Sequence, residues 1–360
     1  MSSNVIQLPA TKPTVRDMTR ETLDAVQAEF DKYIVFPSDE ARDAVVLWAM
    51  HAHIFRAFDA TPRLSIRSRE PGSGKSRVLD VLEHLVPNPM NAAYITPGVM
   101  WRKIEHGNPT MLLDEVDTIF GASGSSSSHR ELRGLINAGH RSNGKVPRCV
   151  GAEGVHEFHV FAPVAMAGIG RLPETIATRS VEIVMRRRQP GDRETRPFRI
   201  RCAIDDLRNA KKQMEEWSKA AFSPLTMMFP ELPVSERAAD VWEPLICIGV
   251  MAGDEWEERA RKACITLTRE AAEKPPTLAV QLLSDIREAF GPDDVLESGE
   301  LADRLYQLEG GRYVKGLFGT RDIARMVKDY GIASKTVRVQ GNPVRGYRRE
   351  YFEAAWEAHL

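Results

Sequence analysis

This chain of 360 residues predicts an α/β fold, with a parallel sheet between helical layers and a smaller C-terminal domain. Three observations carry that expectation. Short apolar runs that read as buried strands alternate with stretches of helical period. A glycine-bearing turn, "EPGSGKS", separates the first such run from its helix, and a later run, "TMLLDEVD", ends directly in acids.

Composition sets the outer limits. The chain is 42% apolar and 28% charged with a formal net charge of −1, so it affords a sizeable core and any basic surface must be local. Cys149, Cys202, Cys247 and Cys264 are scattered without a C-x-x-C pair, which excludes the usual zinc spacings and a disulfide framework. No run approaches the roughly 18 apolar residues of a membrane helix, and the N-terminus has no signal-peptide pattern. The expectation is a cytoplasmic protein with no membrane partner. Four segments are expected: an N-terminal arm and helix over 1–59, an α/β core over 60–200, a helical lid over 201–273 and a last domain over 277–360.

Residues 1 to about 15 read as a flexible arm. Ser38 caps a helix whose first turn holds Asp39 and Glu40 and whose face is "AVVLWAMHAHIF". "PRLSIRS" is a strand, and after the turn Val78, Leu79, Leu82, Leu85 and Val86 fall at helical spacing until Pro87. Thr96-Pro97 opens another helix, and "PTMLLDEVD" is a short apolar strand. A Ser/Gly run leads into a helix with the capping-box pattern Ser128-x-x-Glu131, ending near Gly139. Asn143-Gly144 signals a tight hairpin, which would put Lys145 at its tip. "HVFAPVAMAGIG" and "TRSVEIVMRRR" supply two more strands, residues 200–273 are mostly helical, and Lys274-Pro275-Pro276 breaks the chain before the last segment.

The turn nearly matches the phosphate-binding pattern Gly-x4-Gly-Lys-Ser/Thr, with Arg69 in place of the first glycine. That glycine eases the bend out of the strand, and Gly72 and Gly74 still give two flexible points. Strand, turn and amphipathic helix is the order in which backbone N–H groups face a phosphate. Gly72, Ser73, Gly74, Lys75, Ser76 and Arg77 are therefore candidate nucleotide contacts, Lys75 also serving catalysis and Ser76 holding Mg²⁺. By itself the motif also suits a surface turn that caps a helix. "MLLDEVD" adds the second half: Asp114 as a Mg²⁺ ligand at the end of a strand beside the loop strand, and Glu115 polarising the attacking water. The combination predicts a P-loop NTPase with ATP and Mg²⁺ as cofactors.

A glutamate directly after the aspartate marks the ATPases with an added strand between the loop strand and the acid-bearing strand, an ASCE or AAA+-like three-layer core; "NAAYITP" is the candidate strand. Such enzymes take an arginine from the neighbouring subunit. Arg179 is the candidate, with Arg171 as the alternative, and Arg237 at the start of a lid helix is a candidate nucleotide contact from above. The fourth strand ends in "AMAGIGR", without the polar residue that usually senses the γ-phosphate.

With "GKSRVLDVLEHLV", "PTMLLDEVDTIF", "ELRGLINAGHR", "AMAGIGRLPETIATRSVEIVMRRR" and "ERAADVWEPLICIG", the chain resembles an uncharacterised domain of phage and actinobacterial proteins, often found in primase–helicase-like polypeptides. The resemblance runs over about residues 35–360 and implies a P-loop ATPase linked to DNA replication or mobile elements, akin to the helicases of small viruses. That family favours Cys-Gly-Lys-Thr where this chain has Ser73-Gly74-Lys75-Ser76, a swap that keeps the flexible point and the hydroxyl.

The C-terminal segment gives a separate clue. "SGELADRLYQL" and "GTRDIARMVKDYGI" read as helices, and "SKTVRVQGNPVRGYRREYF" as two strands around a Gly-Asn-Pro turn, a winged-helix order. Between Arg312 and Arg349, ten Lys/Arg stand against Asp322 and Asp329. Arg321, Arg325 and Lys328 project opposite the apolar side, and with Arg338, Arg345 and Lys145 they are the candidate DNA contacts. Together these features predict an oligomeric, Mg·ATP-dependent motor on single-stranded or forked DNA, a homo-oligomeric and hexameric ring with a separate primase or replication partner. The competing expectations are a non-translocating switch, such as a helicase loader or recombination mediator, and a DNA-binding regulator with a structural ATP site.

Overall fold

The computed structural model describes residues 13–92, 95–120, 127–149, 154–273, 278–308, 313–328, 330–339 and 341–360. Most of the expected N-terminal arm, the start of the Ser/Gly run (121–126) and the Lys274-Pro275-Pro276 break lie outside them. The chain divides into two compact units, Met1–Ala272 and Glu273–Leu360.

The first unit opens with a helix the sequence reading missed, α1 (Val15–Tyr33), where Thr14 and Asp17 form a reciprocal capping box. Leu23, Val26 and Phe30 form its buried stripe, and the indole of Trp217 donates to Thr19 Oγ1 at 2.9 Å. Next come α2 (Asp39–Ala52), whose cap Ser38 accepts from the Ala41 amide at 3.2 Å, then β1 (Arg63–Ser68) and α3 (Lys75–Leu85). After β2 (Pro89–Ala92), α4 (Pro97–Gly107) begins with proline in its first turn, as read from the sequence, although Thr96 makes no side-chain cap bond. The chain continues through β3 (Thr110–Leu113), α5 (Asp117–Phe120) and α6 (Ser127–Ala138). Ser128 thus lies inside the first turn of α6 rather than capping it. The remaining elements are β4 (Lys145–Cys149), β5 (Val155–His159), β6 (Val164–Ile169), α7 (Glu174–Ala177), β7 (Ser180–Val184), α8 (Ile200–Thr226), α9 (Glu236–Ala252) and α10 (Asp254–Ala272).

Five strands form a parallel sheet in the order β2-β3-β6-β1-β7. Alternation divides its side chains between two apolar cores. Leu64, Ile66, Leu112, Ala165 and Ala167 face α1, α2, α3, α8, α9 and α10, while Met111, Leu113, Val164 and Met166 face α4 and α6. The helices after β7 therefore share a core with the N-terminal helices and the sheet.

Two expectations need correction. The strand between β1 and β3 is β6, not "NAAYITP", and β3 is consequently not beside the loop strand; β2 lies at one edge of the sheet and β7 at the other. Order in the chain does not reveal order in a sheet. The hairpin also turns elsewhere. Lys145 pairs with His159 and Cys149 with Val155, so the reversal falls between Cys149 and Val155 and Lys145 stands at the base. Asn143-Gly144 instead closes a turn after α6, where the Gly144 amide donates to Arg141 O at 2.9 Å.

The second unit comprises α11 (Leu278–Phe290), β8 (Val295–Glu297), α12 (Ser298–Gln307), α13 (Thr320–Lys328), β9 (Lys335–Val339), β10 (Asn342–Arg348) and α14 (Glu353–His359). An antiparallel sheet in the order β8-β10-β9 and the helices enclose a core that includes Leu282, Ile286, Phe290, Leu301, Ile323, Tyr347 and Trp356. The sequence marked α12, α13 and the two longer strands but not α11, β8 or α14. Asn342 and Pro343 lie within β10 rather than in the turn. Among the described residues no helix is long and apolar enough to cross a membrane.

Candidate functional site

At the C-terminal end of β1 the loop from Arg69 to Gly74 leads into α3. Gly72 (φ +76°) and Gly74 (φ +86°) both adopt left-handed backbone, which side-chain-bearing residues rarely do, while Arg69 is exposed in the place of the missing glycine. Lys75 is 9% exposed, and its ammonium donates to Ser68 Oγ at 2.6 Å and, less closely, to Ser73 Oγ at 3.4 Å. Ser68 Oγ donates in turn to Glu70 O at 2.6 Å. Burial holds the Lys75 ammonium below its ordinary range, while Asp114 and Asp117 act in the opposite sense. Its hydrogen-bond partners are hydroxyls, so a phosphate entering the loop would meet a cation with no carboxylate bonded to it. Ser76 is exposed in the first turn of α3.

Asp114 follows β3 and accepts the Glu115 amide at 2.8 Å. Glu115 is exposed and held at φ +54°, a strained conformation for this residue type. Asp117, which the sequence reading passed over, explains the missing polar residue on β6. Its Oδ1 accepts the Ile169 amide at 3.0 Å, and a Cβ on Gly168 would come within 2.9 Å of Val116 Cγ2 and 3.0 Å of that carboxylate oxygen. The place is filled by an acid from the neighbouring strand's exit; the third acid in "DEVD" is the signal that could have found it.

The donor set suits a magnesium ion brought in by phosphates. Among the described residues no group of three His, Cys, Asp or Glu side chains could hold a metal unaided, and Mg²⁺ is usually held by one or two carboxylates with phosphate oxygens and water. Ser76 and Asp114 supply one hydroxyl and one carboxylate at this sheet edge.

Beside the loop lies a cavity of about 200 Å³ lined by Tyr33, Ile34, Val35, Gly74, Arg77 and Met185 among others. Arg77 places its guanidinium 4.8 Å from the centre of the Phe198 ring, against which Tyr33 packs edge-on at 5.0 Å. These apolar walls come from segments far apart in the chain, so no local pattern announced them.

The arginines gather at the other end of the sheet. The Arg63 amide, at the start of β1, donates to Arg179 O at 3.0 Å, so Arg179 sits before β7, about 20 Å of strand away from the loop. Arg237 is beside it, donating to Thr178 Oγ1 at 3.3 Å. This corrects the expectation that Arg237 covers its own chain's nucleotide: the first turn of α9 faces the opposite edge, where Arg141 ion-pairs with Asp240. Burial first, then Arg237 and Arg141, pull Arg179 below its ordinary range. Arg171 follows β6 at the loop edge, away from this group. Lys145 ion-pairs with Glu157 at 3.1 Å.

In the second unit Ile323 and Val327 of α13 are buried, while Arg321, Arg325 and Lys328 are exposed, Arg325 pairing with Asp322 at 2.8 Å. Arg338 on β9 and Arg345 on β10 are also exposed, on strands that pair with each other.

Residues 184–359 match the family described as "Protein of unknown function (DUF3631)". A curated Saccharopolyspora erythraea protein, described as an uncharacterized 28.9 kDa protein in the xis 5′ region, is 34% identical over 177 residues, spanning 48% of this chain and 67% of that protein. The chain belongs to the DUF3631 family. Among solved structures it is similar to the apo C-terminal region of NrS-1, at 10% identity and TM-score 0.39 over 97% of this chain and 78% of that one. It is also similar to inhibitor-bound JCV helicase, at 12% identity and TM-score 0.28 over 75% and 71%. The DUF3631 span is narrower than the resemblance read from the sequence: it takes in Arg237 and the second unit but not Lys75, Asp114, Glu115 or Arg179.

Proposed function

We propose that the chain is a P-loop ATPase of the AAA+-like kind that works as an oligomeric, Mg·ATP-dependent motor on DNA, in the class of replication helicases. The observation that carries the reading is Lys75: a buried ammonium bonded to two hydroxyls, at the head of a helix whose preceding loop is opened by two left-handed glycines. In this reading the loop amides and Lys75 bind the β- and γ-phosphates of ATP, and the cavity by Tyr33 and Arg77 takes the base. Ser76 and Asp114 hold Mg²⁺, which would neutralise charge on the transferred phosphoryl group. Glu115 orients the attacking water and takes up its proton, and Arg179 of one copy serves the site of the next.

The order helix, strand, helix, helix, strand, strand in the second unit supports a winged-helix reading, with α13 as the DNA-contacting helix. Its exposed Arg321, Arg325 and Lys328 would engage phosphates. Arg325→Ala should lower the slope of log affinity against log salt by about 1; an unchanged slope would remove α13 from the DNA contact.

The primary test is steady-state ATP hydrolysis by the wild type and Lys75→Ala, with and without single-stranded and forked DNA. DNA-stimulated hydrolysis that disappears in the variant is expected. Hydrolysis indifferent to DNA would favour a second reading, a non-translocating ATPase switch, and bound ATP without any hydrolysis would leave only a structural site. Two observations favour the switch: β6 ends without a polar residue of its own, the Asp117 carboxylate beside it being bonded to the Ile169 amide, and the sequence between Cys149 and Val155 holds no cation. Strand displacement on forked DNA separates motor from switch.

A further inference from the structure

Arg237 has no role at its own chain's phosphate loop, yet it is held in place. Asp240, one helical turn on, is tied to Arg141, and the Arg237 guanidinium rests on Thr178, the residue before Arg179. Three guanidinium groups from three segments, the end of α6, the approach to β7 and the start of α9, thus share one patch, and Arg237 is exposed. The contacts of Arg179 and Arg237 are the Thr175 carbonyl and the Thr178 hydroxyl, neither of which neutralises charge. Like charges fixed together repel, and the patch gains from an anion with several oxygens, for which a guanidinium fork is well shaped.

We propose that Arg237 acts with Arg179 in trans, the two reaching the terminal phosphates of ATP held by a second copy of this chain. This rests on the reading of the Lys75 loop as an ATP site. The strand separation between the patch and that loop prevents both from serving one nucleotide within a chain. Arg141, through Asp240, is a positioning residue: it fixes the first turn of α9 so that Arg237 points beside Arg179.

The test is complementation between full-length variants. Arg237→Ala should bind ATP at low protein concentration as the wild type does, yet turn over roughly 10²-fold more slowly. Mixed with Lys75→Ala, which has an intact patch and a disabled loop, it should regain hydrolysis well above the sum of the two variants assayed separately. ATP-driven assembly, followed by sedimentation in the Glu115→Gln background, should weaken when Arg237→Ala is added. Arg237→Lys, which keeps the charge but loses the fork, should fall between wild type and alanine. A mixture that stays inactive overturns the proposal, as does weakened ATP binding by dilute Arg237→Ala, which would put the residue in cis. Undiminished ATP binding and hydrolysis by Lys75→Ala would overturn the ATP-site reading instead, and would be seen without the mixture.

Discussion

The two ends of one parallel sheet are built for opposite tasks. At the C-terminal end the strands run out into Ser68, Asp114, Asp117 and Gly170, and the chemistry is a single buried cation among hydroxyls and carboxylates. At the N-terminal end the strand starts collect Arg63, Arg141, Arg179 and Arg237, with Asp240 as a paired carboxylate. A parallel sheet points all its strand exits one way, so one chain cannot fold its arginine end over its own loop. The difference teaches that the Lys75 loop and the arginine patch stand a full strand length apart within one chain.

The largest effect should come from the loop end. Lys75→Ala should cut ATP hydrolysis by roughly 10³-fold and weaken binding, whereas Glu115→Gln should stop turnover with ATP still bound; filter binding of labelled ATP distinguishes them. If both lose binding alike, the division between holding phosphate and activating water is wrong. At the other end, Arg179→Ala should slow turnover by roughly 10²-fold with ATP affinity intact, and equal loss of affinity would erase the contrast.

A smaller effect tests packing at the loop end. Gly168→Asn restores the polar residue expected there but drives its Cβ into Val116 and Asp117, and should cost about 1–3 kcal/mol in denaturant titrations. Asp117→Ala in the same chain should recover part of that loss, a coupling that independent sites would not show.

A further test, of stability rather than activity, is acid pH. Burial lowers the imidazole of His51 to about 3 and those of His53 and His140 to about 4, well below the usual value of 6.5. The unfolded chain binds protons on these groups before the folded chain does. Stability is therefore complete above about pH 6.5 and is lost as pH falls from there towards about pH 4. Melting temperatures should drop across that window, and His51→Leu should flatten the drop. A flat profile in the wild type would mean that these rings reach water when folded.

What was legible in the sequence was local. Lys75, its glycines and the strand before them lie within a dozen positions, and Asp114-Glu115 directly follow an apolar run, so spacing alone proposed them. Tertiary placement was not legible. Nothing near Arg237 says which end of the sheet α9 approaches, because the Arg141–Asp240 pair joins residues 99 positions apart. The place of β6 between β1 and β3 is likewise an adjacency that sequence order conceals. Asp117 escaped because an acid after two acids reads as a solvated turn until its carboxylate is seen on the Ile169 amide. The missed helix α1 did carry a signal, Thr14-x-x-Asp17 ahead of Leu23, Val26 and Phe30, but polar residues dilute its apolar stripe.

Arg63 ties the hairpin and the loop strand to one side chain. Its buried guanidinium donates to Ile136 O at 2.7 Å and to Ala162 O at 2.6 Å, carbonyls on either side of the β4–β5 hairpin, and its amide is bonded to Arg179. Five residues further on, the same strand ends in Ser68, the hydroxyl that holds Lys75. The two flanks of the hairpin and the strand that anchors the lysine are therefore joined through one buried guanidinium.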